Sequence, residues 1–532
     1  MRKVLLSLVS LSLLLPFLGC DPPGATHDGP AADSRGFSRL GRPSTSTGLR
    51  FEVTLAPRLA NAPRDGRLLV VLSKSERPEP RLTIGNTGMK TPPVLGTDVN
   101  GLAPGMVSVV DDKAEIFPIE HLSQLPRGEY YVQALLDSSY ELNLRNAPGN
   151  LFSKPEKVSI DPAHAETVKL ELSQQVPEEK LPADSEYVKY IKFPSPLLTR
   201  FHGRPMFLRV GVILPRDYDR ESDRRYPLRV HIGGYGSRFT RVRDMMAEGS
   251  SFRSRWLADD TPRMILLHLD GAGPYGDPYQ VNSDNNGPYG DAVTQELIPY
   301  IEKTFRAVGQ PYARFLDGAS TGGWVSLALQ VFYPDFFNGT WTQCPDPVDF
   351  RCYELINIYS DDNAYVNNYG FERPSKREVS GDVEFTLRHE CQIENVMGRG
   401  NQWSRSGKDW CAWNAVFGPR GPDGLPVPLW EPKSGKINRD VLEHWKKYDL
   451  RLVMQNNWSA LGPKLRGKIH IWVGDADDYF LNNAVHLLDA FLSKADPPYE
   501  GRIEFAPRQG HTIGWGEKRV MSEMAAAFEK SR

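Results

Sequence analysis

Two rhythms of apolar and polar residues run along this chain. Between residues 49 and 176 the pattern is short alternation with a period of two, broken by Pro and Gly turns. Segments 49–55, 67–73, 106–110, 129–136 and 166–172 each place apolar side chains on one face, which predicts strands of an antiparallel β-sandwich. From 185 to 532 the rhythm changes. Apolar strand candidates at 187–193, 207–214, 228–232, 264–269, 468–473 and 501–507 alternate with helical periodicity at 291–305, 484–493 and 518–530. Strand–helix alternation predicts an α/β domain with a mostly parallel sheet. Pro299, inside the helix expected at 291–305, predicts a bend there. Residues 349–450 break the alternation. They carry Trp403, Trp410, Trp413 and Trp430, and they read as a lid-like insertion with rings available for stacking.

One segment carries chemistry. Phe315, Leu316 and Asp317 form an apolar-centred strand, Gly318-Ala319-Ser320-Thr321-Gly322 a small-residue turn, and Trp324, Val325, Leu327, Ala328, Val331 and Phe332 a helical face. A Ser flanked by Gly two before and two after, between strand and helix, is the nucleophile-elbow pattern. The bare spacing arises by chance in roughly one chain of this length in six, from average Gly and Ser usage. The strand–turn–helix context is what strengthens it.

A Ser hydroxyl needs a base. His511 follows the strand at 501–507 and precedes the last helix. The base needs an orienting carboxylate, and Asp475, Asp477 and Asp478 follow the strand at 468–473. Asp477 is the preferred partner, with Asp478 and Asp475 as alternatives. The order Ser320, Asp477, His511 is that of α/β-hydrolases. An oxyanion hole needs two N–H donors. Thr321, next after the nucleophile, supplies one. The other falls in Gly233-Gly234-Tyr235-Gly236, with Tyr235 preferred and Gly234 the alternative.

Charge is nearly balanced: 64 Lys+Arg against 66 Asp+Glu, a net −2. That argues against nucleic acid as a partner. The chain opens with Arg2 and Lys3, then an apolar stretch to Leu18, then Gly19-Cys20. Residues 1–19 are read as a signal peptide that resembles a bacterial lipoprotein signal, with Cys20 as the lipidation site. Residues 20–48, rich in Gly, Pro, Ser and Ala, read as a flexible tether. The chain is thus expected outside the cytoplasm, anchored to a membrane through Cys20 in the periplasm or at the cell surface, or else secreted. Cys344, Cys352, Cys391 and Cys411 remain, and their spacing favours disulfides 344–352 and 391–411. Without a CxxC pair zinc is not expected. The stretch 282–287 half-resembles a calcium loop, but Val293 stands where a bidentate Glu is needed, so no metal is expected.

Several stretches together resemble a known family. Val212-Ile213-Leu214-Pro215-Arg216-Asp217-Tyr218-Asp219, Arg225-Tyr226-Pro227, Gly233-Gly234, Glu296-Leu297-Ile298-Pro299-Tyr300-Ile301-Glu302, the Ser320 elbow, Tyr333-Pro334-Asp335-Phe336-Phe337 and Gly510-His511 are similar to the landmarks of the esterase family that includes esterase D-like and feruloyl-esterase-like α/β-hydrolases. The resemblance covers about 187–532. To the insertion at about 349–450 and the N-terminal β-sandwich domain at 49–176, read above from the hydrophobic pattern, it adds an α/β-hydrolase fold in residues 185–532. It also implies carboxylic-ester hydrolysis by a Ser–His–Asp triad without a cofactor. The expected partner is a small-molecule or polysaccharide ester, acylated or feruloylated. The alternatives are a peptidase or acyltransferase on the same fold, and a non-catalytic glycan-binding lipoprotein.

Overall fold

The computed structural model describes residues 48–59 and 62–532. The expected signal peptide, Cys20 and all but the last residue of the tether lie outside them. Among the described residues no helix is long and apolar enough to cross a membrane.

The N-terminal region is β-rich. Strand Arg50–Leu55 pairs with Val107–Val110 and Thr167–Leu172 in a three-stranded sheet. A seven-stranded sheet is built around Arg64–Ser73, flanked by Val94–Leu102 and Gly128–Asp137. Alternation decides what each face buries. Leu68, Val70 and Leu72 meet Phe51, Val53 and Leu55 of the smaller sheet in one core. Leu69 and Val71 point the other way and pack on Ile393, Val396 and Met397 of the late insertion. Both faces of the larger sheet are therefore covered. The strand at 94–102 escaped the sequence pattern because Gly96, Asp98, Asn100 and Gly101 interrupt its apolar alternation. Gly96 has its own reason, since a Cβ there would sit 2.0 Å from the Val396 carbonyl oxygen.

The second region is an eight-stranded α/β-hydrolase sheet. Its strands are β1 (Val188–Pro194), β2 (Phe207–Ile213), β3 (Leu228–Ile232), β4 (Ile265–Leu269), β5 (Arg314–Ala319), β6 (Thr340–Gln343), β7 (Ile469–Gly474) and β8 (Arg502–Ala506). Their order is β1-β2-β4-β3-β5-β6-β7-β8, with β2 antiparallel to both its neighbours, β1 and β4, and every other pair parallel. The inner strands are buried almost throughout, polar residues included, because both faces are covered. Between β5 and β6 runs helix α1 (Thr321–Phe332), buried on nearly every side. The helix expected at 291–305 runs without a break from Tyr289 to Thr304, with a π-helical stretch, Ala292–Leu297, in its middle. Pro299, which cannot donate to the ladder, follows directly on that stretch.

The insertion between β6 and β7 carries α2 (Leu387–Met397) and α3 (Asp409–Phe417). Its tryptophans are core residues for the most part: Trp403, Trp410 and Trp430 are buried against one another. The stacking role expected of them therefore fails for three of the four. The disulfides favoured by spacing do not form either, and Cys344, Cys352, Cys391 and Cys411 are free thiols. Cys391 sits by Tyr365 and Trp430, Cys411 by the Arg405 and Gly407 backbone, and Cys344 beside His511. Each has separate partners, so nearness in sequence does not become nearness of sulfurs. The segment at 282–287 is a two-stranded turn whose Asn285 amide donates to the Ala415 and Gly418 carbonyls.

Candidate active site

Ser320 joins β5 to α1 at φ 58°, ψ −128°. A non-glycine residue reaches that region only under strain, of order 1–3 kcal/mol, which the surroundings must enforce. The neighbouring glycines show how. A Cβ on Gly318 would lie 2.2 Å from the Gly322 carbonyl oxygen, and one on Gly322 would lie 2.1 Å from that of Ile232. Backbone lies on backbone there, and no side chain fits. Beneath the turn, Asp317 accepts from Arg229 at 2.8 and 2.7 Å and from His231 Nδ1 at 2.9 Å. Burial disfavours the Asp317 carboxylate, but Arg229 and His231 outweigh it and hold its pKa well below the usual range. Arg229 also pairs with Glu517, at the start of the last helix, which ties the C-terminus to the elbow.

His511 lies on the loop after β8, and Asp477 on the loop after β7. The Asp477 carboxylate is fully buried. Its Oδ1 accepts from the Tyr479 and Leu481 N–H groups at 3.0 and 3.3 Å, and its Oδ2 accepts from His511 Nδ1 at 2.8 Å. The other two acids have different work. Asp478 Oδ1 accepts from the His511 backbone N–H at 3.1 Å, and Asp475 meets His486. Burial disfavours the His511 imidazolium, yet the Asp477 hydrogen bond and the adjacent Cys344 outweigh it and hold the pKa above the usual imidazole range.

Ser320, His511, Tyr235 and Thr321 line one cavity of about 350 Å³. The Thr321 N–H, first in α1, has no acceptor inside the helix. Gly234 backs onto Ser320, and a Cβ on it would lie 3.7 Å from the Ser320 Cβ. The Tyr235 hydroxyl donates to Gly407 O at 3.2 Å, so its side chain is turned toward the insertion.

Residues 205–496, more than half the chain, match the sequence model of the esterase family described as "Putative esterase". The chain belongs to this family. It is a carboxylic-ester hydrolase on an α/β-hydrolase fold. No curated protein matches it. Among solved structures, a ferulic acid esterase aligns at 14% identity and TM-score 0.39 over 64% of this chain and 98% of its own. A substrate-bound Staphylococcus aureus serine hydrolase, FphF, aligns at 12% and 0.37 over 64% and 98%. Porphyromonas gingivalis dipeptidyl peptidase 4 aligns at 12% and 0.35 over 82% and 45%.

Sequence reasoning missed much of the esterase's cavity wall. Asp346, Glu354, Glu390 and Asp409 all line it, as do Trp413 and Thr87 of the N-terminal region. Burial raises the first three: Asp346 to about 6, Glu390 to about 7, and Glu354 well above the carboxylate range. Asp346 was the findable one, because it follows β6 at the sheet's C-terminal edge, where α/β folds place their sites. Among the described residues no group of His, Cys, Asp and Glu is arranged to hold a metal ion.

Proposed function

We propose that this esterase works through Ser320 as nucleophile, His511 as base and Asp477 as the group that orients His511. The observation that carries the reading is the 2.8 Å His511–Asp477 hydrogen bond opening onto the same cavity as a strained Ser320. In this mechanism His511 Nε2 takes the hydroxyl proton as Ser320 Oγ attacks the ester carbonyl. Asp477 fixes Nδ1–H and stabilises the imidazolium. The Tyr235 and Thr321 N–H groups receive the oxyanion. His511 then protonates the leaving alcohol, and water, activated by the same imidazole, releases the acid. The substrate is a small ester, or the ester-bearing end of a larger molecule such as an acylated polysaccharide, since only a limited group enters about 350 Å³. We also propose, from the sequence alone, action outside the cytoplasm with an anchor on Cys20.

Turnover of p-nitrophenyl acetate and labelling by a fluorophosphonate probe test the mechanism. Ser320→Ala is expected to abolish labelling and lower turnover by about 10⁶, as in other triads. An unchanged rate would remove Ser320 from the reaction. Folded native protein that neither labels nor turns over would favour the glycan-binding reading.

A further inference from the structure

The cavity's wall is unusually acidic. Glu354 is only 3% exposed, and its backbone is held at φ 53°, a left-handed conformation that costs a non-glycine residue energy. Among the described residues its carboxylate receives no hydrogen bond, yet it faces the cavity that holds Ser320. Buried carboxylates without donors are costly and uncommon. Nearby, Glu390 takes the Ser375 hydroxyl at 2.7 Å and the Trp410 indole at 3.1 Å on one oxygen and, among the described residues, has no donor for the other. Among the described residues the side chain of Asp409 has one partner, Lys408 Nζ at 3.7 Å. Several of the wall's side-chain donors are already engaged, the Tyr235 hydroxyl with Gly407, the Thr321 hydroxyl with Asp346 and the Trp413 indole with Tyr279, while Lys408, which also lines the cavity, leans to Asp409.

We propose that the substrate of this enzyme carries a cationic group, a primary ammonium, that docks on Glu354 with Glu390 and Asp409 beside it. The inference rests on the esterase reading and refines it. An ammonium group brings three donors and no acceptor, which matches a wall rich in acceptors. A sugar hydroxyl needs both kinds of partner and is served less well. Burial first, and the neighbouring carboxylates second, raise Glu354 and Glu390, and a docked cation opposes both effects.

Two matched pairs of esters test this. On the acyl side, alanine p-nitrophenyl ester is compared with p-nitrophenyl isobutyrate. On the alcohol side, trans-4-aminocyclohexyl acetate is compared with trans-4-methylcyclohexyl acetate. Each kcat/KM is divided by the same ester's hydroxide-catalysed rate. The cation is expected to win by at least about tenfold in one pair, the fold-change of one charge-assisted hydrogen bond. Glu354→Gln and Asp409→Asn are each expected to cut that preference about fivefold or more. Both are made so that misfolding of one, seen in thermal unfolding, leaves the other to decide. Native selectivity within about twofold in both pairs would overturn the proposal, as would an undiminished preference in the folded variants. So would an acetylated xyloside that outpaces every cation. Fluorophosphonate labelling separates the two failures. Labelling with flat selectivity removes this proposal alone, and no labelling with no turnover removes the esterase reading and this proposal with it.

Discussion

Replacing Asp477 with Asn changes one atom of the buried carboxylate and leaves its volume almost untouched. The consequence follows from its partners. Oδ1 already accepts two backbone N–H groups, from Tyr479 and Leu481. The Asn amide oxygen must take that side, because an NH₂ there would face two donors. The NH₂ then points at His511 Nδ1, which donates to the carboxylate in the native protein. Two donors cannot share that contact, so the imidazole shifts its proton to Nε2, the atom that must be free to accept from Ser320. A wrong tautomer of this kind costs about 10⁴ in kcat in a Ser–His–Asp enzyme, or about 5.4 kcal/mol of transition-state stabilisation. Initial rates on p-nitrophenyl acetate measure it, with urea unfolding confirming that the variant is folded. Asp478→Asn is the control, because among the described residues the Asp478 carboxylate accepts the His511 backbone N–H alone, and its loss is expected to stay within about tenfold, one hydrogen bond's worth. A folded Asp477→Asn variant within about tenfold of native turnover would refute the assignment.

Two further outcomes follow from the site. Gly322→Ala drives a Cβ into the Ile232 and Gly233 carbonyls at 2.1 and 2.5 Å, so urea unfolding should show a loss of about 2–3 kcal/mol or more, and native stability would contradict the packing described. Only neutral imidazole accepts the Ser320 proton, so kcat/KM should rise with pH and reach half its plateau above the ordinary imidazole value of about 6.5. Cys344→Ala removes one of the contacts that raise His511 and should move that half-point to lower pH, and a static or rising half-point would exclude the contact.

The sheet was legible because its strands hold short apolar stretches such as Ile265-Leu266-Leu267 that alternate with segments of helical period. Ser320 was legible because an elbow demands glycines at fixed spacing, and geometry that rigid leaves a mark in sequence. Much of the cavity wall left no such mark. Glu390 lies on an amphipathic helix, where a Glu ordinarily faces water, yet it is turned inward by its bonds to Ser375 and Trp410. Glu354 stands in a loop without periodicity. The tryptophans misled for the opposite reason. A dense set of rings suggests a binding surface, but large rings are also what fills an insertion whose own sheet is a small two-stranded one, Pro374–Arg377 with Val383–Thr386.

The wall also explains what the N-terminal β-region contributes to catalysis. Arg67, buried in that region, donates to the Val396 carbonyl at 2.8 Å and to the Asn395 carbonyl at 3.3 Å, at the C-terminal end of α2. Cations at a helix C-terminus are favoured both by the free carbonyls and by the helix dipole. Leu69 and Val71 of the same strand bury the apolar side of that end against Ile393, Val396 and Met397. The helix so fixed carries Glu390 to the cavity one to two turns upstream, and Thr87 of the N-terminal region reaches the cavity directly. A region with no chemistry of its own thus holds one wall of the pocket in register with Ser320. That is a stronger role than a spacer, and it accounts for the apolar residues on both faces of its larger sheet, where a free-standing sandwich needs them on one.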